Sequence, residues 1–475
     1  MSDRIESPVI KVGGSILRTA EDLQTITDRL IEGDRPPVVV TSAVHGITDR
    51  LVSVLEEAER GDADIDGFVD DLRRRHRSMF HSDGELPTAF DEAVAPVLED
   101  LTRRLDDISS TGTVPPESRD AVLAVGERCA ARLIACTLQA AGADSIHLDA
   151  DELGIVTDGV FGRATVELAP TTENILGTIV PLVTAGSIPV VTGYFGRGET
   201  GAVTTFGRGG SDYSAAIVAS CLRAPELIIW KDVGGFLTAD PDQVPGAQVI
   251  PYMTYDEAAE LAYLGIRVLH PRTLEPVKEA NIPVSVAACH DPDAPGTRIG
   301  PPRDEPDQLR AIGARSGFGI VRMHGSAMAY EPGVGARVFG LLAEQEINIV
   351  NMAASQATFA LLVDEAATAR AAAIIESAGI PTVESVTYER GFTLLCIVGR
   401  NIGLREGVAG LVFTIVGDAG VNIEMISVGS SNVAMSFVID DQDTTTAMLA
   451  LARGLHGTGG TTAESVVGSP APAGE

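Results

Sequence analysis

Lysine is almost missing from this chain. Its 475 residues include three lysines, Lys11, Lys231 and Lys278, against 32 arginines. Asp and Glu number 66, and the net charge is −31. Such a chain repels polyanions, which argues against nucleic acid or an anionic membrane as a partner. An acidic, lysine-poor surface suits a protein that works in high salt, so a halophilic source is expected. Aromatics make up 4%, leaving Ala, Val, Leu and Ile to build the core. Five cysteines, at positions 129, 136, 221, 289 and 396, stand singly with no C-x-x-C. They read as reduced core residues of a cytoplasmic protein rather than as disulfides or zinc ligands. No apolar run is long enough to span a membrane, and Met1-Ser2-Asp3-Arg4-Ile5-Glu6 does not open a signal peptide. There is no G-x-x-x-x-G-K-[ST] motif, which excludes a P-loop. Gly196-Arg197-Gly198-Glu199-Thr200-Gly201 fits G-x-G-x-x-G, but strand-like Ala202–Thr205 follows it, so a hairpin turn is expected there and not a dinucleotide site.

What is present centres on Thr204–Ala216. An apolar strand, Ile188–Val191, precedes this stretch, and an Ala-rich helix from Tyr213 to about Leu222 closes it. Gly209-Gly210 lets backbone N–H groups approach a ligand. Ser211 is suited to an N-cap, and a helix N-terminus attracts anions. Arg208 adds a planar fork for a carboxylate or phosphate. Capping alone would explain Ser211-Asp212 but not the Arg-Gly-Gly before it.

A second glycine turn lies near the N-terminus. Pro8–Leu17 reads as a strand running into Gly13-Gly14, with a helix from about Ala20 to Ile31. Lys11 there is either a point charge for phosphate or a surface lysine beside a tight turn. Pro37–Ala43 is a buried, parallel-type strand. It leads into Val44–Asp49, where Thr48 either caps the next helix or touches a ligand, and His45 reads as structural or solvated. Residues 51 to about 110 form a charged helical insertion. In the next helix, Ser118–Ala141, Glu127 needs a cation. Arg128, Arg132 or a substrate ammonium could serve. Strands at Ser145–Leu148, Ile188–Val191, Glu226–Trp230 and Ile282–Val286 alternate with helices. This alternation predicts an α/β domain with a mainly parallel sheet, and ligands at the carboxyl ends of its strands.

After a polar, proline-rich linker the chain repeats itself. Gly333-Val334, Val338-Phe339 and Ile347-Asn348-Ile349 recur 74 positions later as Gly407-Val408, Val412-Phe413 and Val421-Asn422-Ile423. Each copy is expected to run strand, helix, strand, strand, helix, strand. Residues 457–475 are Gly/Thr/Ser/Pro-rich, as in disordered tails.

The ordered motifs resemble those of aspartate kinases, in the amino-acid kinase superfamily. They are Lys11-Val12-Gly13-Gly14-Ser15, Ser42-Ala43 with Gly46-Ile47-Thr48-Asp49, Gly126-Glu127-Arg128, Gly207–Ala215, Trp230-Lys231-Asp232-Val233 and Val268–Thr273. The repeat resembles the paired ACT units of that family. The resemblance implies a three-layer αβα kinase domain (1–300, with a helical insertion at 51–115), a linker (301–310), and ferredoxin-like ACT domains at 311–390 and 391–456. It implies transfer of the ATP γ-phosphoryl group to the side-chain carboxylate of L-aspartate, the first step of lysine, threonine and methionine synthesis. Carried over residue by residue, Lys11, Arg208 and Asp212 are catalytic. Thr48, Glu127, Arg208, Gly209 and Ser211 hold aspartate, with Glu127 on its ammonium. Lys11, Gly13, Gly14, Ser15, Lys231, Asp232, Arg267 and Val268 face the nucleotide. Mg²⁺ arrives with ATP rather than at a dedicated metal cluster. An amino-acid effector, lysine or threonine, would meet the loops at Gly333, Asn348 and Ser355, and the chain would form a homodimer or higher homo-oligomer.

Three departures fall on the nucleotide side: Arg267 where the family has lysine, Leu237 for a usual tyrosine, and Asp242 where an arginine is common. They put nucleotide use in question, and two other readings stay open. One is a kinase of another acidic amino acid, which a substrate panel separates. The other is a weakly active amino-acid sensor that regulates a partner.

Overall fold

The computed structural model describes residues 5–33, 35–80, 85–264, 268–303, 309–429 and 431–456. Arg267, half of the expected linker (304–308) and the tail (457–475) lie outside the described residues. The chain divides into two compact units. The first takes the described residues within Met1–Phe236, Val249–Ala259 and Arg267–Arg303, and the second those within Leu237–Gln248, Glu260–Ile266 and Asp304–Glu475.

In the first unit β1 (Val9–Val12) leads through a 3₁₀ turn, Gly14–Ile16, to α1 (Ala20–Ile31) and β2 (Val38–Thr41). The helical insertion follows as α2 (Ile47–Arg60), α3 (Ile65–Arg77) and α4 (Glu85–Thr111). The single helix expected over 118–141 is two, α5 (Pro116–Leu123) and α6 (Val125–Ala140), meeting at Ala124. Then come β3 (Ser145–Leu148), α7 (Ala150–Leu153), α8 (Leu168–Thr184), β4 (Ile188–Thr192), β5 (Phe195–Arg197), β6 (Val203–Thr205), α9 (Gly210–Leu222) and β7 (Leu227–Lys231). The chain continues through β8 (Tyr252–Thr254), α10 (Tyr255–Tyr263), α11 (Pro271–Glu279), β9 (Val284–Ala288) and β10 (Thr297–Gly300). β5 and β6 form the expected hairpin across Gly198–Gly201.

The main sheet has the order β3-β4-β2-β1-β7-β9-β10-β8 and is parallel except where β10 meets β9. The strands alternate faces with period two. Ile10, Val12, Val39 and Val190 join Leu23 and Ile26 of α1 and Leu133 of α6 in one core. Lys11 therefore points to the other face, where α9 packs against β1 and β2. Buried Ala215, Ala216 and Ala219 keep α9 slim enough for this approach.

The second unit holds β11 (Leu309–His324), α12 (Val334–Glu344), β12 (Ile349–Ala354), β13 (Thr358–Asp364), α13 (Thr368–Ser377), β14 (Ser385–Gly399), α14 (Val408–Asp418), β15 (Met425–Ser427), β16 (Ala434–Asp440) and α15 (Thr444–His456). Its antiparallel sheet runs β12-β13-β11-β14-β16-β15. The 74-residue offset survives in three dimensions. Gly333 and Gly407 are the N-caps of α12 and α14, with φ of 91° and 81°. The two long central strands serve both repeats. Phe318–His324 pairs with Phe392–Ser385 inside the first repeat, whereas Leu309–Arg315 pairs with Gly399–Leu394 and supplies the outer strand of the second. The second copy thus takes its last strand from chain that precedes the first copy. A register shift between Arg315 and Phe318 marks the crossover. Ala239 and Val244, in the stretch that sequence assigned to the kinase domain, lie in the core of the second repeat with Ile312, Val412 and Phe437.

The insertion carries one buried titratable group. His76 donates from Nδ1 to the Leu72 carbonyl at 2.8 Å and stacks on Phe90, while Nε2 has no partner. Burial pulls its pKa down to about 4. The folded state holds this imidazole neutral while an unfolded chain protonates it near 6.5, so stability is lost as pH falls from about 6.5 to about 4. Thermal melts of the wild type and of His76→Phe should diverge over that window. The wild type is expected to decline more steeply, and parallel curves would contradict this.

Candidate active site

The carboxyl ends of β1, β2 and β4 and the start of α9 build one cavity of about 510 Å³. Lys11, Gly14, Ser15, Thr48 and Glu127 line it from one set of elements, and Arg208, Gly209, Ser211 and Asp212 from another. Each arrives for a local reason. Gly14 passes so close to β2 that a Cβ would stand 2.7 Å from the Ala43 carbonyl oxygen. Gly209 is the N-cap of α9 with φ of 76°, a conformation that suits glycine. The N-cap therefore lies two residues earlier than expected, the helix begins at Gly210 rather than Tyr213, and Ser211 is not its cap. Ser211 sits in the first turn, with its side chain turned to the cavity. Thr48 likewise does not cap α2. That place is taken by Gly46, with φ of 76°, and Thr48 is left on the cavity wall.

The electrostatic centre is Asp212. Lys11 Nζ lies 2.6 Å from its Oδ1, and Lys231 Nζ lies 3.3 Å from its Oδ2. Two of the chain's three lysines thus share one buried carboxylate. Burial would raise the Asp212 carboxyl, but the two ammonium groups outweigh it and hold it below the usual range. Burial lowers the Lys11 ammonium, against the attraction of Asp212, and Lys231 lowers it further.

Glu127 behaves differently. It is 3% exposed, and its Oε2 has no hydrogen-bond partner. Burial pushes its carboxyl up to about 8, in spite of hydrogen bonds from the Ala43 backbone and the Ser211 hydroxyl and the attraction of Lys11. Neither nearby arginine pairs with it. Arg132 binds Asp149 at 2.9 Å, and Arg128 binds Asp151 at 2.8 Å and also Asp149. These ion pairs satisfy the arginines and leave Glu127 with a free oxygen at a cavity, a place for an incoming cation.

On the nucleotide side, Gly13 lies against Lys11; a Cβ there would be 3.2 Å from Nζ. Ser15 Oγ donates to Asp232 at 3.2 Å, and Arg18, which no motif singles out, contacts the same carboxylate at 3.3 Å. Val268 is buried and is not among the residues lining this cavity. In the second unit, Asn348 lines a cleft of about 620 Å³ with Phe339, Ile347 and Met352. Gly333 and Ser355 are not part of its wall. Ser355 closes a turn with Thr358.

Two cavity residues were not expected. Tyr194 adopts φ of 77° although it is not glycine. Its N–H donates to Ser214 Oγ at 2.9 Å, and burial beside Glu127 pushes its phenol up to about 12. Nothing in the sequence marks that strained backbone, which depends on β4 meeting α9. His45, read as structural or solvated, stands exposed at the same cavity. A larger cavity, about 780 Å³, opens at Arg223 and Asn281 beside the amino ends of β7 and β9. It holds none of the motif residues, so size alone misleads here.

Comparison with known proteins identifies the family. The model of the amino acid kinase family covers residues 7–288, and an ACT domain model matches 321–378 and 395–455. The chain is 31% identical to the chloroplastic Aspartokinase 2 of Arabidopsis thaliana over 93% of its own length and 83% of the plant protein. It is 29% identical to the Lysine-sensitive aspartokinase 3 of Escherichia coli over 92% and 96%. Among solved structures it resembles E. coli aspartokinase III in complex with aspartate and ADP (R-state), with a TM-score of 0.80, 28% identity, and coverage of 95% of this chain and 100% of that one. The same enzyme in complex with lysine and aspartate (T-state) gives 0.77 at 28% identity and the same coverage. The chain belongs to the amino acid kinase family, within its aspartokinase branch, and carries C-terminal ACT domains.

Glu127 predicts a distinct stability profile. Its folded carboxyl titrates near 8 and an unfolded one near 4.5, so the folded state binds this proton more tightly. That contribution is full below about pH 4.5 and is lost as pH rises through about 8. In chemical denaturation at pH 5 to 8.5, Glu127→Gln should lose less stability than the wild type. An equal loss would place the Glu127 pKa near its ordinary value.

Proposed function

We propose that this chain is an aspartate kinase, which transfers the γ-phosphoryl group of ATP to the β-carboxylate of L-aspartate. The observation that carries the reading is the free oxygen of buried Glu127 in a cavity that also presents Arg208 and Lys11. Such a cavity suits a zwitterion with a second carboxylate, held next to phosphate. Glu127 takes the ammonium, and Arg208 with the N-terminus of α9 takes carboxylate oxygen. Thr48 and Ser211 add hydroxyl contacts.

The chemistry needs no general base, because the nucleophile is already ionised at neutral pH. A β-carboxylate oxygen bonds to the γ-phosphorus, the bond from that phosphorus to the β–γ bridging oxygen breaks, and ADP leaves with the electron pair. No proton moves. Catalysis then rests on positioning and charge neutralisation. Lys11 neutralises the transferring group, Asp212 holds Lys11 in place, and Lys231 adds a second cation. The residues present fit a nucleotide. The Gly13-Gly14 turn offers backbone with no Cβ, and Asp232 beside Ser15 offers carboxylate oxygen. Mg²⁺ would come with the phosphates and neutralise part of their charge.

The ACT domains supply regulation. We place an amino-acid effector, lysine or threonine, in the second unit near Asn348, and a homodimer or higher homo-oligomer as the working form. No described helix is long and apolar enough to cross a membrane, and a cytoplasmic enzyme is the reading we adopt.

Two measurements test this. Trapping the acyl phosphate as its hydroxamate, in high KCl, should show Mg·ATP-dependent phosphorylation of L-aspartate. Lys11→Ala should lower kcat roughly 10²–10³-fold. No turnover by a folded wild type that still binds an amino acid would favour a sensor instead. The second measurement is the pH dependence of the aspartate KM. Glu127 is protonated in the empty site below about pH 8, and an arriving ammonium must expel that proton. Apparent affinity should therefore rise with pH by up to about tenfold per unit and level off above 8. Glu127→Gln should flatten the profile and raise KM throughout.

A further inference from the structure

The turn carrying Arg208 is gripped from both sides by charged residues that line no part of the cavity. Asp120, on α5, is 1% exposed. Its Oδ2 accepts the N–H of Thr205 at 2.7 Å and the N–H of Gly162 at 2.8 Å. Arg272, in the first turn of α11, does the converse. Nη1 donates to the Phe206 carbonyl at 3.2 Å, and Nη2 to the Ala164 carbonyl at 2.9 Å. One side chain collects two backbone donors and the other fills two backbone acceptors, from the same two segments, 162–164 and 205–206. Those segments also bond directly, Ala164 N–H to the Thr205 carbonyl at 2.9 Å.

The grip is tight at the residue before Arg208. Gly207 has φ of 74°, and a Cβ on it would stand 2.8 Å from the Gly162 carbonyl oxygen. The Arg272 guanidinium lies over the ring of Tyr213, 4.6 Å from its centroid, and so also touches the first turn of α9. His270, two residues before it, packs on Gly209, where a Cβ would stand 2.5 Å from the imidazole Cγ. At the other end, α5 joins at Ala124 to α6, whose first turn carries Glu127. Asp120 therefore ties the helix pair bearing Glu127 to the strand that leads into Arg208.

We propose that Asp120 and Arg272 are positioning residues that form a two-sided clamp on the 205–207 backbone and thereby set the spacing of Glu127 and Arg208 for the amino-acid substrate. The inference rests on the kinase reading above. Neither residue contacts Lys11, Asp212, Ser15 or Asp232 in the hydrogen bonds and ion pairs described, so loosening the clamp acts on the amino-acid half of the site. Misplacement of about 1 Å is enough to cost roughly 10²-fold in a positioned reaction.

The test is steady-state kinetics on full-length Asp120→Asn, Asp120→Ala, Arg272→Lys and Arg272→Ala. Both alanine variants should raise the aspartate KM about 10- to 100-fold and move the Mg·ATP KM by less than about twofold. Asp120→Asn should recover most of the loss, because its amide oxygen still accepts both N–H groups. Arg272→Lys should not, because an ammonium lacks the two-armed fork. The double alanine variant should be no worse than the weaker single one, since both grips hold one segment. Parallel rises in both KM values, fully additive effects, or lower melting temperatures with unchanged KM would each overturn the clamp. Where an alanine variant fails to fold, Asp120→Asn and Arg272→Lys decide by the same KM split. Amide exchange of the peptide around 203–209 gives a readout free of the reaction. Exchange faster than wild type in Arg272→Lys but not in Asp120→Asn upholds the clamp even if the wild type does not phosphorylate aspartate. Unchanged exchange in Arg272→Lys overturns it.

Discussion

Asp212 between Lys11 and Lys231 is the contact on which the kinase unit depends. Three elements meet there: β1 brings Lys11, β7 brings Lys231, and the first turn of α9 brings the carboxylate. Asp212 gains twice, from two ammonium groups and from the positive end of the helix. Two lysines so close together would otherwise repel, and taking away one partner of such a buried group costs about 3–5 kcal/mol. The carboxylate lets the site store cationic charge before any phosphate arrives. In a chain with three lysines, spending two of them on one aspartate identifies this point as the one where a compact ammonium matters more than a guanidinium.

Charge is sorted across the rest of the site. Arg128 and Arg132 stand close to Glu127 in sequence and are the obvious partners for it. They are held instead by Asp149 and Asp151, which leaves Glu127 buried, protonated at neutral pH and open on one oxygen. Its first-turn position on α6 and the close packing of Gly126 on Ala43 put that oxygen at the cavity. The site thus holds two lysines around one carboxylate at one end and a latent anion at the other, an arrangement that suits a phosphate donor beside an amino-acid zwitterion. A carboxylate acceptor removes any need for a base, which agrees with lining side chains that bind rather than abstract protons.

The regulatory half uses a different economy of structure. Each repeat needs a fourth strand to cover its sheet, and the two long strands β11 and β14 provide all the central pairing for both. A shift at Arg315–Phe318 lets β11 leave one repeat and enter the other. The two copies cannot then fold as independent beads, since the second is incomplete without residues 309–315. Exposed Met352 and Ile426 on the outer strands β12 and β15 remain at the sheet edges.

Much of this was legible in the order of residues. Periodicity and glycine placement located most strands and helices of the kinase unit, though not α7, β8, α11 or β10, and also the helical insertion, the hairpin at Gly198–Gly201 and the 74-residue repeat, because those features are local. Lys11, Glu127 and Arg208 could be singled out because each breaks a local rule: a charge in an apolar strand or helix, or glycines where a cap needs none. Asp212 reads locally as an ordinary capping residue and stood out only through the family resemblance. Contacts between distant segments could not be read this way. The sharing of Asp212 by two lysines, the diversion of Arg128 and Arg132 away from Glu127, the strained backbone of Tyr194 and the borrowed strand of the second repeat all join residues far apart in the chain. Even the N-cap of α9 moved from Ser211 to Gly209, because the turn is shaped by Gly162, His270 and Arg272 packing against it. Sequence by itself determined which residues carry charge and freedom. Only the packed structure decided which of those charges neutralise each other and which are left for a substrate.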